Sequence, residues 1–311
     1  MNDVLSDILD TIELKAVLYF WGEFRPPFGL RVPQFENAAR FHMNVSGECI
    51  VELNDGRDAL MKAGDIVLVP HGATHRITSA KDYPCSPLDD SLNMAGLDGD
   101  GPFLVGNGPP ESGCQLICGH FGFAAGADHP LLHAVPDLLH ITAEDRAAQP
   151  LLDDVVRMIT QRMMAGGAGA MASVSRLSEV LFIEILQAAA SKAPGMASLM
   201  RAVTDPPIGH ALRRIHADLA ANWTVEALGA AVGMSRSRFA ERFRQLVGLS
   251  PMGYIAECRL QRALHLLNHH QMPVKAVATQ VGFRSAAAFT RAFAARFGTP
   301  PTRARQAPFS D

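Results

Sequence analysis

SRSRFAERFRQLVGLSP, residues 235–251, returns fifty residues later as SAAAFTRAFAARFGTPP, residues 285–301. Ser235 answers to Ser285, Phe239 to Phe289, Phe243 to Phe293, Gly248 to Gly298 and Pro251 to Pro301. The text ahead of each copy also matches: Val225, Leu228, Val232 and Gly233 correspond to Val274, Val277, Val281 and Gly282. Each copy reads as an apolar helix, a Gly stop, a Ser start and a second helix. Gly takes a left-handed turn at no steric cost, and Ser caps the helix that follows. That is the chemistry of a helix-turn-helix, present twice.

At about 100° per residue the second helix of each copy is two-faced. Phe239, Phe243 and Leu246 share one stripe, and Ser237, Ala240, Glu241 and Arg244 lie opposite. In the second copy Phe289, Phe293 and Phe297 form the stripe, and Ala287, Thr290, Arg291 and Ala294 face out. An aromatic spine with a short or basic outer face suits a major groove about 12 Å wide. A solvated face on a helical bundle accounts for one copy alone; two copies with matched turns favour the groove. The intervening stretch, residues 251–268, spaces Ile255, Cys258, Ala263 and Leu267 as a helix. At 1.5 Å per residue it is about 27 Å long and would set two readers about one DNA turn apart.

These residues carry a resemblance. The pattern G-M-S-x-x-x-F-x-x-x-F ending at Phe243, R-x-x-x-A-x-x-L-L at residues 259–267, and V-G-F with F-x-x-x-F-x-x-x-F-G from Val281 onward resemble the DNA-binding domain of the AraC/XylS family of bacterial transcription regulators. Gly229 stands where that family usually has Ala. The resemblance covers about residues 208–305. It implies base contacts at Ser237, Ala240, Glu241, Ala287 and Arg291, an operator DNA partner, a possible contact with RNA polymerase and a possible homodimer. From the position of residues around the outer faces, phosphate contacts are expected from Arg236, Arg238, Arg242, Arg284 and the helix starts at Ser235 and Ser285. Arg244 and Thr290 complete the expected DNA surface.

Charge is distributed in agreement. Residues 206–305 hold 14 Lys+Arg and 4 Asp+Glu, a net of +10, while residues 1–205 hold 14 and 26, a net of −12. A basic third on an acidic body is the footprint of a specific DNA binder and excludes a general polycation. Five cysteines in irregular spacing, without a signal-peptide pattern, lead to an expectation of a reducing cytoplasm without a disulfide framework. No apolar run reaches the roughly 18 residues of a membrane span.

The N-terminal text is different in kind. Short apolar runs at residues 15–20, 39–45, 49–53, 58–61 and 66–69 alternate with Gly and Asn-Asp-Gly punctuation. Short strands with tight turns predict an antiparallel barrel or sandwich. GDIVLVPHGATH, residues 64–75, resembles the second cupin motif, G-x5-P-x-G-x2-H, at every fixed position. The first cupin motif is incomplete: FHMNVSGE supplies His42 and Glu48 but has Asn44 where a second His belongs. The resemblance implies a cupin-type sensor domain, with His42, Glu48 and His75 as ligand-binding candidates for an unidentified small-molecule effector. The missing His leaves three-His metal sites short of a ligand, so no metal and no cofactor are expected. His75 as a hydrogen-bonded wall residue stays open, as does a cluster of Cys114, Cys118 and His120. Residues 84–112, rich in Gly, Pro and Asp, read as a long loop over the barrel mouth.

From residue 143 the period becomes helical. Helices are expected at residues 151–164 and 174–190, joined at GGAGA, as a hairpin against the barrel or a partner subunit. Residues 192–207 read as a linker containing a short helix. The expected fold is α+β in two domains: a cupin-like sensor at 1–140, a hairpin and linker at 141–204, and an all-α DNA-binding domain at 205–306. Its helix-turn-helix units fall at 224–247 and 273–297. The function expected is a non-enzymatic, effector-controlled transcription regulator. The alternative is a metal-dependent cupin enzyme fused to a DNA-binding domain.

Overall fold

The computed structural model describes residues 4–88, 102–124, 130–269 and 272–304. The chain divides into two compact units, residues 15–122 with 135–192, and residues 1–14 with 123–134 and 193–311.

The first unit is β-rich. Its strands are β1 Lys15–Phe24, β2 Gly29–Val32, β3 Ala38–Ser46, β4 Glu48–Leu53, β5 Asp58–Lys62, β6 Ile66–Val69, β7 His75–Thr78, β8 Ser86–Pro87, β9 Phe103–Val105, β10 Cys114–Gly122 and β11 Leu139–Ile141. They form two sheets, ordered β11-β6-β3-β10-β1-β9 and β5-β4-β7-β2-β8. The long strands pair antiparallel, as their alternation predicts. The two short edge strands depart from that expectation: β9 pairs parallel with β1, and β8 parallel with β2. Side chains from both sheets meet in one core that includes Phe24, Leu30, Val51, Met61, Val67 and Cys118. Of the long loop expected over the barrel, residues 89–101 lie outside the described residues, and the described remainder contributes the short strands β8 and β9.

Two helices, Pro150–Ala165 and Ala170–Ala189, form the expected hairpin. Of the two placements left open by the sequence, the observed one is against the barrel of the same chain. Phe182 packs on Phe121 with ring centroids 4.8 Å apart, and the Ser175 hydroxyl donates to the Ala16 carbonyl at 2.8 Å.

The second unit is helical. Its helix-turn-helix pairs are Val225–Ala231 with Arg236–Val247, and Val274–Gln280 with Ala286–Phe297. The bridging helix Pro251–His269 runs between them. Pro194–Thr204 and Pro206–Ala217 precede the first pair. The stretch read as a linker is therefore largely helix, with Met196, Leu199 and Ala202 buried. The second of these two helices stops at Ala217, and the Trp223 indole N–H donates to the Asp218 carbonyl beyond it. The N-terminal helix Val4–Ile12, expected with the barrel, packs in this unit against Pro206–Ala217 and the bridging helix. Val4, Ile8 and Ile12 are buried there, and the His265 Nδ1–H donates to Glu13 at 2.6 Å. Among the described residues no helix is long and apolar enough to cross a membrane.

The turns are left-handed where the sequence requires it, with φ of 69° at Gly233 and 83° at Gly282. They differ in their surroundings. A Cβ on Gly233 would meet open space, whereas one on Gly282 would lie 2.7 Å from the Ala220 Cα and 2.8 Å from its carbonyl oxygen. Gly233→Ala should cost roughly 1–2 kcal/mol, the left-handed penalty alone. Gly282→Ala adds a backbone clash and should cost roughly 3 kcal/mol or more. Urea unfolding of the two variants checks this; equal losses would contradict the close approach at Gly282.

Candidate nucleic-acid interface and barrel interior

Each reader helix is fixed from beneath by phenyl rings. Phe239 and Phe243 are fully buried with centroids 5.7 Å apart, and Phe243 meets Tyr254 of the bridging helix edge-on at 5.7 Å. Phe289 and Phe293 repeat the arrangement at 5.5 Å. The Ser235 hydroxyl accepts from the Arg238 N–H at 3.4 Å, and that of Ser285 from the Ala288 N–H at 3.2 Å. With the apolar face consumed, the opposite face of each helix is left to solvent. Ser237, Glu241 and Arg244 are exposed on the first reader, Ala287 and Arg291 on the second; Ala240 and Thr290 are half-buried.

The flanking arginines divide into three groups. Arg238, Arg244 and Arg291 have no ion-pair partner among the described residues. Arg236 meets Glu226 at 2.8 Å with both side chains largely exposed, and Arg284 donates to the Asn222 amide oxygen at 2.8 Å. Such exposed contacts are weak and exchange readily. Arg242 is held differently. Its guanidinium pairs with Asp205, whose carboxylate also caps the helix Pro206–Ala217 by accepting from the Ile208 N–H at 3.1 Å. That pairing pulls the Asp205 carboxyl below its usual range. Arg242 thus braces the first reader from the side, and a phosphate there would have to compete with Asp205.

Inside the barrel, His42 and His75 come together and Glu48 does not. Glu48 is exposed at the start of β4. His75 Nδ1 lies 2.8 Å from the Ala73 carbonyl, so it is the protonated nitrogen. His75 Nε2 is then an acceptor and receives the Nε2–H of His42 at 2.8 Å. His42 Nδ1 in turn accepts from the Cys118 thiol at 3.1 Å. The result is a directional chain from Cys118 through both imidazoles to a backbone carbonyl, with every link neutral. Burial is the first cause of neutrality: it lowers His42 well below the ordinary histidine value and His75 to about 4, and raises the Cys118 thiol. The missed partner, Cys118, was findable only from register, because it pairs directly across from His42 between β10 and β3.

A cupin metal does not fit these donors as they stand. Asn44 is turned to the backbone, donating to the Gly47 and Met61 carbonyls at 3.0 and 3.3 Å. The facing imidazole nitrogens are closer than the roughly 3.4 Å that two 2.1 Å bonds in a tetrahedral site would set. Cys118 is engaged by His42, and His120 lies between Tyr19 and Phe35, so Cys114, Cys118 and His120 make no common site. Among the described residues no three His, Cys, Asp or Glu side chains converge to hold a metal.

Comparison with known proteins matches a cupin family model over residues 3–191 and a helix-turn-helix domain model over residues 228–307. The transcriptional regulator AlkR of Acinetobacter baylyi is 30% identical over 98% of this chain and 99% of its own. The chain belongs to the AraC-type transcription regulators with an N-terminal cupin domain. A putative AraC-like regulator of Streptomyces antibioticus is 28% identical over 99% of this chain and 98% of its own. The DNA-binding domain of AdpA, solved in complex with a target DNA, is 32% identical over 33% of this chain and 96% of its own, with a TM-score of 0.31.

For this AraC-type regulator the buried imidazoles have a pH consequence. An unfolded histidine takes its proton near 6.5, but folded His75 does so only near 4. Stability from the neutral ring is fully present above about 6.5 and is lost as pH falls through about 4, on the order of 3 kcal/mol for His75 alone. Thermal midpoints of the barrel should fall across that window, and His75→Asn should flatten the fall. An unchanged slope in the variant would show that other groups govern acid unfolding.

Proposed function

We propose that this regulator reads two successive major-groove segments on one face of an operator. The observation that carries the reading is the pair of phenyl-backed helices whose outer faces are left to solvent. Ser237, Ala240, Glu241 and Arg244 would serve the first segment, and Ala287, Thr290 and Arg291 the second. Arg291 can bridge O6 and N7 of a guanine, and Glu241 can accept from N4 of a cytosine. The second reader offers little besides methyl groups around Arg291, so it specifies fewer bases. Ser235 and Ser285 at the helix starts, with Arg236, Arg238 and Arg284, hold the phosphates. The setting is the cytoplasm, the role is non-enzymatic, and family membership supports an RNA polymerase contact and a homodimer. A small-molecule effector of the barrel would replace one link of the His42–His75 chain with a hydrogen bond of its own.

Arg291→Ala should lose roughly 1–3 kcal/mol on the cognate duplex and become indifferent to the base at one position. An equal loss on every operator variant would make Arg291 a backbone contact.

Arg238→Ala should lower the slope of log affinity against log salt by about one unit. Arg242→Ala should leave that slope alone, since Asp205 already holds the charge. A slope lowered by Arg242→Ala would return that residue to the phosphate set.

A further inference from the structure

The DNA-reading unit contains a cavity of 540 Å³ that the helix-turn-helix architecture does not use. Its volume lies within the roughly 300–1,000 Å³ of small-molecule sites. Four helices supply its walls. Leu199 comes from Pro194–Thr204, Leu246 and Val247 from the end of the first reader, Glu257 from the bridging helix and Arg296 from the second reader. Leu249, just past the first reader, adds a further apolar surface.

The charges on the wall settle the class of occupant. The Arg296 Nε–H lies 3.0 Å from both oxygens of Glu257, and Glu257 also accepts from the Gln261 amide at 3.0 Å. Arg296 and Glu257 therefore neutralise one another within the wall, where His133 is the one other ionisable lining residue among the described residues. A charged guest would have to break that pair, whereas a neutral one leaves it intact and gains from the leucine and valine surface. Ser198 and Gln245 on the rim offer hydrogen-bonding groups. Every wall helix either reads DNA or abuts a helix that does, so a guest bears on the end of the first reader and, through Arg296, on the second.

We propose that this cavity binds an uncharged, mainly apolar small molecule with one hydrogen-bonding group, and that its occupancy changes operator affinity. The second half rests on the DNA-reading assignment above; the first does not.

The test uses the full chain and N-phenyl-1-naphthylamine, a neutral fluorescent probe with a single N–H. Wild type should bind it saturably at one site. Ser198→Trp and Leu246→Trp, which fill the cavity from different walls, should each weaken binding by about tenfold or more while retaining the wild-type circular dichroism spectrum. Two variants guard against one failing to fold. Absence of saturable binding, or equal affinity in the folded variants, would overturn the site. Operator duplex is obtained by selection from random sequence, and saturating probe should shift wild-type affinity for it several-fold. An unchanged affinity with the probe bound would overturn the coupling. Failure of the selection to yield any duplex would instead count against the DNA-reading assignment, and the probe titration would still decide the site.

Discussion

Two phenyl rings one helical turn apart, set in the same way under both reader helices, are the constraint on which the DNA-reading half depends. Phe239 and Phe243 leave the first reader a single rotational setting, because any other would bring a ring into water. Tyr254 against Phe243 ties that setting to the bridging helix, and Phe289 with Phe293 repeats the lock in the second copy. The identity of the outward residues is free to vary once the inner face is consumed. That separation lets one scaffold carry a polar and charged first surface, Ser237 with Glu241 and Arg244, beside a second composed of alanines around Arg291.

The barrel uses another kind of constraint. Its interior is closed by hydrocarbon, and Cys118, His42 and His75 are linked to one another in a fixed direction. The Ala73 carbonyl sets the tautomer of His75, which sets that of His42, which leaves one nitrogen for the Cys118 thiol. Neutrality follows from burial, and the pairing follows from neutrality. Asn44, standing where the cupin motif has its second His, spends its amide on the backbone.

Legibility in the sequence followed locality. The readers, their Ser caps and Gly turns were legible because each rests on residues within one or two turns of one another. His75 was legible from the fixed spacing of a turn. Cys118 was not, since its partnership with His42 depends on the register of strands 76 residues apart. The pairing of Arg242 with Asp205 was not legible, because a helical wheel places charge but cannot show Asp205 beside it. Gly229, a departure from the family pattern, has a local cause only the structure reveals: a Cβ there would come within 2.9 Å of the Met234 carbonyl. The N-terminal helix was assigned with the barrel for the same reason, as nothing near Ile8 or Ile12 in the sequence announces contacts some two hundred residues away.

That helix sets an order on synthesis. Residues 4–12 leave the ribosome well before the helices that complete their apolar face, which end at residues 217 and 269. At roughly 5–20 residues per second the wait is on the order of 10–50 s. Throughout it the apolar face of Val4, Ile8 and Ile12 lacks those two helices, while the strands of the barrel can already pair. The half of the molecule that reads DNA is therefore closed by residues made long before the rest of it, and a nascent chain cannot finish that unit until the bridging helix has been made.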